Sequence, residues 1–431
     1  MDDIHRKRDK TLGIPELIAI ALGGMVGGGI FTILGISVSM IGAYTPFAII
    51  LGGIVAALAA YSYIKLGVYY QDEGATYSFF KRTFPNSAFA ASLIGWWVIF
   101  GYISTLSLYA YTFSSYALSS FSYANDEIIR KLVAGVVIFV FTLINLWSVK
   151  GMGKIEDLMV YTKLVILIII SFVLINHSNT TIPNLLNESK DVEFSAILIV
   201  ASITFVAYEG FQLVINAVNE MDNPQKNIPI AIYSAIALAI LLYVVISFGA
   251  ILAISFDDII ANKEYALASG ANKVLGHWGN DLVIIGALLA TSSAISGTLF
   301  GASRQMSIVA KDGFFPKFLE KRNIYNIPTN SILMMSFLAF CLILSGSLKL
   351  ILEFGSVTFL IVSLLMAIAN FKIRDKTDSS FFITILAIVL LLASTILIIF
   401  YEFQVEMEQM FFIVFLYVVL TFLSWIYSKR K

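Results

Sequence analysis

An all-α integral membrane protein of twelve helices is the fold class this sequence predicts, on three observations. Hydrophobic residues make up 59% of the 431-residue chain and charged residues 13%, half the roughly 25% of an ordinary soluble domain. The apolar residues fall in long runs that are apolar all round, not in the alternating stretches of about ten that build a membrane β-barrel. The basic residues gather in alternate connections, as the two faces of a bilayer require. A single cysteine excludes an internal disulfide or a thiolate cluster. No connection is long enough to house a soluble catalytic domain.

A helix crossing the hydrocarbon needs about 20 mostly apolar residues. Such runs lie at 14–41, 46–69, 88–117, 128–149, 156–176, 195–219, 228–253, 281–309, 329–346, 350–371, 381–401 and 409–427, numbered here as spans 1 to 12. With the N-terminus inside, twenty-one Lys and Arg residues fall on the cytoplasmic side and six outside. The inside group includes Arg6, Lys7, Arg8, Lys10, Lys150, Lys154 and Lys431; the outside group includes Lys263. Both termini are therefore expected in the cytoplasm. The RKRDK start resembles a signal peptide, but a first run of about 28 residues is too long for its apolar core and reads as a retained helix.

Span 1 contains GGMVGGGIF, with Gly23, Gly24, Gly27, Gly28 and Gly29. Each glycine disfavours helix by about 1 kcal/mol relative to alanine. Close helix packing of the small-xxx-small kind accounts for Gly23/Gly27 and Gly24/Gly28; the triple glycine points further, to an unwound segment with bare backbone. No preceding strand supports a nucleotide-binding loop. Span 6 contains AYEGFQ, where Gly210 stands beside Glu209 in mid-span. An acid at that depth is either a functional group or a structural one paired with a lysine or a broken helix end.

Unwound backbone in a membrane survives only where protein or a water-filled cavity satisfies it. Divided into 14–176 (spans 1–5) and 195–371 (spans 6–10), each half opens on a glycine-interrupted helix. Each also has a longer, partly amphipathic connection after its second helix, at 71–84 and 256–280. Five is odd, so the second half enters the membrane upside down. The pattern is a five-plus-five inverted repeat, flanked by a tail at 1–13, two peripheral helices at 381–427 and a tail at 428–431. Half-helix N-termini suit a carboxylate and C-terminal carbonyls suit an ammonium group. A site with both suits a zwitterion, which argues for an amino acid.

Lys163 stands in VYTKLVILIII of span 5, on the order of 10 Å inside the membrane at 1.5 Å per residue. No carboxylate on its own helix neutralises it. It either snorkels to the interface or points into the bundle, where burial penalises the charged form and makes it a protonation switch. A protonated ammonium there can stand where a sodium ion otherwise sits. Span 8 offers hydroxyls opposite, at Thr291, Ser292, Ser293 and Ser296.

These residues resemble the amino acid–polyamine–organocation superfamily, and most of all its archaeal proton-coupled members. The likeness rests on GGMVGGGIF, AYEGF, NEMDNPQKNIP (219–229), DEGATYSFFKRTF (72–84) and AKDGFFP (310–316), in order over spans 1–8. It implies the LeuT-like fold shared with sodium-coupled neurotransmitter transporters, with helices 1 and 6 unwound mid-membrane. It further implies that Gly27, Gly28 and Gly29 hold the substrate carboxylate. Met25, Phe205, Tyr208, Glu209 and Gly210 form the amine end and cover of the pocket. Lys163 replaces a sodium ion, with the Gly23 carbonyl and the Ser292 and Ser293 hydroxyls as partners. Glu209 departs from many relatives; facing the pocket it favours cationic substrates such as lysine, arginine or polyamines. The glycine-rich triplet suggests a roomy approach to the carboxylate.

The expected function is amino acid import with protons as the coupling ion, across the cell membrane, with no cofactor and no nucleic-acid partner; the oligomeric state is not legible. A cationic amino acid or polyamine carrier, or an exchanger, is the alternative within the class, and a non-transporting amino acid sensor the one outside it. An enzyme would need a nucleophile–base pair or metal ligands at depth, and only Glu209 and Lys163 are read as ionisable groups within the spans. His5, His177 and His277 are not spaced for a metal. Glu402, Glu406 and Glu408 read as a solvated acidic loop. Tyr102 and Thr105 of span 3 are placed near the substrate, and Asn216 and Glu220 at a cytoplasmic gate.

Overall fold

The computed structural model describes residues 12–147, 149–262 and 265–430, with the side chains of all but 149–157. The tail bearing His5, Arg6, Lys7, Arg8 and Lys10 lies outside the described residues, as do Lys263, Lys431 and the side chains of Lys150 and Lys154. The first half comprises α1 (Ile14–Met25), α2 (Gly28–Ile41), α3 (Thr45–Tyr70), α4 (Ala75–Thr83), α5 (Ala88–Leu118), α6 (Glu127–Trp147) and α7 (Val149–Asn176). After a short helix α8 (Ile182–Glu188) come α9 (Phe194–Thr204), a 3-10 turn (Phe205–Tyr208) and α10 (Leu213–Asn216). Then follow α11 (Pro224–Ala253), α12 (Phe256–Ala261), α13 (Ala266–Leu275), α14 (His277–Lys311), α15 (Thr329–Ser345) and α16 (Leu348–Lys372). A turn α17 (Arg374–Thr377) leads to α18 (Phe381–Val405) and α19 (Met407–Lys429).

Nine helical stretches among the described residues are long and apolar enough to cross a membrane, and Ile14–Met25 and Thr329–Ser345 are shorter apolar helices. The described residues form no strand beyond one isolated bridge, Leu12 to Met221. Helix starts follow local chemistry. Pro46 and Pro224 occupy the first turns of α3 and α11, where a missing N–H costs nothing. The hydroxyls of Ser87 and Ser347 cap α5 and α16 by accepting from Ala90 and Leu350 N–H.

The helices are not equally enclosed. In the apolar window of 194–216, 89% is buried, against 22% for α19. Helix 6 is thus the centre of the bundle, and α19 presents apolar side chains outward, as a lipid-facing helix does. Helix α1 packs against α7, α11 and α14, and the 3-10 turn of helix 6 against α2, α3 and α16. Two broken helices therefore lie side by side, walled by the long ones.

Two expectations about charge need correction. Glu353 in α16 is a further buried acid, 1% exposed, beyond Glu209 and Lys163. Glu402 is not part of a solvated loop: α18 runs on to Val405, which turns Glu402 into a helix residue with no exposed surface.

Candidate functional site

The first break follows from the glycines and from who satisfies the backbone they release. A helix end leaves its last four carbonyls without intrahelical partners. At the end of α1 these belong to Gly23, Gly24, Met25 and the capping residue Val26, since Val26 N–H takes the Leu22 carbonyl at 2.9 Å, and side chains from three other helices reach them. Tyr109 of α5 donates to the Gly24 carbonyl at 2.9 Å. Tyr243 of α11 donates to the carbonyls of Met25 at 2.7 Å and Ala207 at 2.9 Å, so one hydroxyl bridges both broken helices. The chain reverses through Val26 (φ −82°, ψ 72°), closed by Gly27 N–H on the Met25 carbonyl at 2.9 Å, an inverse γ-turn.

Lys163 completes the cap. Its side chain is fully buried and its ammonium donates to the Val26 carbonyl at 2.7 Å, with those of Leu22 at 3.3 Å and Gly23 at 3.4 Å in longer contact. It also donates to Ser293 Oγ at 2.7 Å, and the Ser293 hydroxyl in turn donates to the Ala290 carbonyl at 3.0 Å. One ammonium group thus ties α7 to the broken end of α1 and to α14. Snorkelling is excluded by this geometry. Ser293, not Ser292, supplies the hydroxyl at hydrogen-bond distance; Ser292 is buried one residue before it.

The second break centres on Gly210, whose φ of +124° is open to glycine and strained for other residues. A Cβ there would stand 2.5 Å from the Gly24 carbonyl carbon, so the two breaks touch backbone to backbone. Gln212 holds the segment: its Nε2 donates to Glu209 Oε2 at 2.6 Å, and its Oε1 accepts from Gly210 N–H at 3.1 Å. Glu209 is 2% exposed, and its other oxygen, Oε1, has no hydrogen-bond partner.

Between the breaks lies a small cavity lined by Gly24, Tyr102, Thr105, Tyr109, Glu209, Gly210, Leu213, Thr298 and Phe359. Its free space is about 10 Å³, near the minimum for one water molecule. Tyr102, Thr105, Glu209 and Gly210 thus stand together where the sequence puts the substrate. The glycine triplet does not line this space. At Gly27 a Cβ would meet Ala294 Cβ at 2.6 Å and Tyr109 Cε1 at 2.9 Å, at Gly28 Thr112 Oγ1 at 2.7 Å, and at Gly29 Ala207 Cα at 3.0 Å. The room expected there is filled by neighbours, so in this conformation the triplet serves close packing as well as the break.

Met25 and Phe205 are buried. Tyr208 turns away from the cavity, donating to the Ile49 carbonyl of α3 at 2.8 Å and lying 5.3 Å from the Tyr243 ring. Sequence reasoning missed Tyr109, Tyr243, Gln212, Thr298 and Phe359. The signal for the two tyrosines was present: a phenol buried mid-span must find an acceptor, and a broken helix offers carbonyls.

The family model for amino acid permeases matches residues 12–430. The chain is 30% identical over 406 residues to an uncharacterized protein of Methanocaldococcus jannaschii, spanning 92% of this chain and 90% of that one. It is 30% identical over 385 residues to the inner membrane transport protein YbaT of Escherichia coli, with 89% and 88% covered. It is 25% identical over 328 residues to the branched-chain amino acid permease BcaP of Bacillus subtilis, with 72% and 69% covered.

Proposed function

The chain belongs to the amino acid permease family and is a multi-pass membrane transporter of amino acids; from that premise we propose a proton-coupled symporter that works by alternating access about its two broken helices. The observation that carries the proposal is the position of Lys163. Its ammonium holds three carbonyls of the α1 break and the Ser293 hydroxyl of α14. Deprotonation removes one donor and the positive charge at the point where α1, α7 and α14 meet. The tie then weakens, and the broken helices are released to rearrange. Proton binding and helix position become one equilibrium, which is what coupling requires.

The substrate reading follows from the same backbone. Helix α2 begins at Gly28 with no side-chain cap, and free first-turn N–H groups suit a carboxylate. Helix 6 offers Glu209 and released carbonyls to an amine. Since Tyr208 is committed to α3, the ring that covers the pocket in this reading is Phe205. The element order supports a twelve-span, five-plus-five inverted repeat: a broken helix, a long helix, short helical pieces and three further helices occur twice. The distribution of basic residues favours a cell membrane with both termini in the cytoplasm.

The test is uptake into proteoliposomes under an imposed pH gradient. Lys163→Ala and Lys163→Gln are expected to abolish concentrative uptake while substrate counterflow persists. A variant that still accumulates substrate on the pH gradient removes Lys163 from the coupling mechanism. One observation favours a second reading, a carrier of cationic amino acids or polyamines: the cavity holds a buried carboxylate oxygen with no hydrogen-bond partner, Glu209 Oε1.

A further inference from the structure

Two buried carboxylates meet at the other end of the bundle wall, away from both breaks. Glu353 lies a turn inside the start of α16 and is 1% exposed; Glu402 lies a turn inside the end of α18 and has no exposed surface. Helix α16 packs along α18, and Lys349 and Glu406 stand beside the two acids. Yet no N–H or O–H donor reaches any of their four oxygens. The surrounding charged and titratable groups are Lys349, Glu406 and Tyr401. Lys349 is the cation, 3.5 Å from Glu353 Oε1 but 2.8 Å from Glu406 Oε1, to which it donates. Glu406 is a third exposed and also accepts from Gln409 Nε2 at 3.0 Å.

The charge balance decides the state of the pair. With every group ionised, three carboxylates face one ammonium, and that ammonium is engaged by the outermost of them. The inner two would be neighbouring buried anions whose one nearby cation, 3.5 Å from Glu353, already pairs more closely with Glu406. Like charges sharing a site do not both ionise, and an uncompensated buried charge is strongly disfavoured. A proton on one carboxyl resolves both difficulties: it removes a charge and supplies the missing O–H donor to the other carboxylate. The pair then titrates as a unit.

We propose that Glu353 and Glu402 form a second proton-binding site, separate from Lys163, which takes one proton from water past the Lys349–Glu406 rim and shares it between α16 and α18. The binding step is one proton added to the carboxylate pair, forming a carboxyl–carboxylate hydrogen bond, and its release restores the two anions and their repulsion. Helix α16 carries this to the substrate region: Ser356, one turn on, donates to the Ile203 carbonyl of α9 at 3.1 Å, and Phe359 lines the cavity. The place of the site in transport rests on the symporter reading; the binding of the proton does not.

Infrared difference spectra of the purified protein during a pH titration test the binding. They are recorded in a Glu209→Gln background, so that the acid in the cavity does not contribute. A protonated-carboxyl carbonyl band is expected at neutral pH, lost at alkaline pH, and removed or shifted by both Glu353→Gln and Glu402→Gln. Each variant keeps an isosteric, hydrogen-bonding pair, and the parent spectrum by itself needs neither variant to fold. In proteoliposomes, with Glu209 intact, the same two substitutions are expected to shift the external-pH profile of uptake. Absence of the band in the parent, survival of the band in both variants, or uptake profiles superimposable on the unsubstituted protein's overturns the proposal. If the unsubstituted protein accumulates nothing on a pH gradient, the symporter reading fails and the infrared result alone decides this site.

Discussion

At the scale of single residues, the carbonyls that the α1 break exposes are each given a side-chain partner, whereas Glu209 Oε1 at the second break has none. The other oxygen of that carboxylate is fixed by Gln212 at 2.6 Å, and Gln212 is itself fixed by Gly210 N–H. The carboxylate is thus oriented before any ligand arrives, with Tyr102, Thr105 and Thr298 around it. A substrate ammonium would bring a charge-assisted hydrogen bond of roughly 1.5–3 kcal/mol. Lysine, arginine and putrescine are therefore expected to inhibit uptake. Glu209→Gln, which keeps shape but cannot become the counter-charge of a bound ammonium, is expected to weaken that inhibition about ten- to a hundredfold and to spare neutral ligands. Competition assays decide it, and a parent protein indifferent to all three cations rejects the amine role. Lys163 and Glu209 were legible in the sequence because an ionisable group inside an apolar run is costly to keep. Tyr109 and Tyr243 were not, because tyrosine is at home both in cores and at membrane interfaces, and only the fold shows which carbonyl each one reaches.

At the scale of elements, the breaks in helices 1 and 6 were legible as positions but not as partners. Glycine density says where a helix yields; it does not say that Gly24 and Gly210 meet. That contact is what makes Gly210 irreplaceable. Its φ of +124° is unfavourable for an L side chain, and an added methyl would stand 2.5 Å from one backbone carbon and 2.7 Å from the Met25 nitrogen. Backbone on both sides cannot give way without separating the helices. Gly210→Ala is accordingly expected to lower the melting temperature of the purified protein and to abolish uptake. Gly276→Ala, also at positive φ but with open space around its Cβ, should cost backbone strain alone, about 1–3 kcal/mol, and retain uptake. Equal losses in the two variants would show that strain, not contact between the breaks, is what Gly210 relieves. Helix ends were the weakest part of the sequence reading, with a specific consequence. Ending span 11 at 401 put Glu402 in a loop, whereas α18 continues to Val405 and draws that acid into the protein beside Glu353.

At the scale of the molecule, the alternating access proposed above would need ties between the two halves that hold at one end while the other opens. One such set joins α4 and α5 of the first half to the segment after α14 of the second. Tyr77 Oη donates to Asp312 Oδ2 at 2.7 Å, Lys81 pairs with the same oxygen at 2.6 Å, and Trp96 Nε1 donates to the Phe314 carbonyl at 3.0 Å. Burial, together with the Asp312 contact, holds the Tyr77 hydroxyl well above its ordinary range, so it stays a donor at any working pH. At the same end Leu12 N–H donates to the Glu220 carbonyl at 3.1 Å, joining the start of helix 1 to the connection after helix 6. Asp312 is the shared acceptor, and Asn in its place loses the charge that Lys81 pairs with. Partly exposed pairs of this kind contribute about 0.2–1 kcal/mol, enough to raise the population open at this end by about 1.4- to fivefold without unfolding the bundle. Asn216, whose amide has no hydrogen-bond partner in the buried interior, is a position from which to read the opening. With Cys341, the one native cysteine, replaced by alanine and a single cysteine placed at 216, Asp312→Asn is expected to speed labelling by a small thiol reagent. An unchanged rate would place the tie that closes this end elsewhere, with the Trp96–Phe314 and Leu12–Glu220 contacts as the next to test.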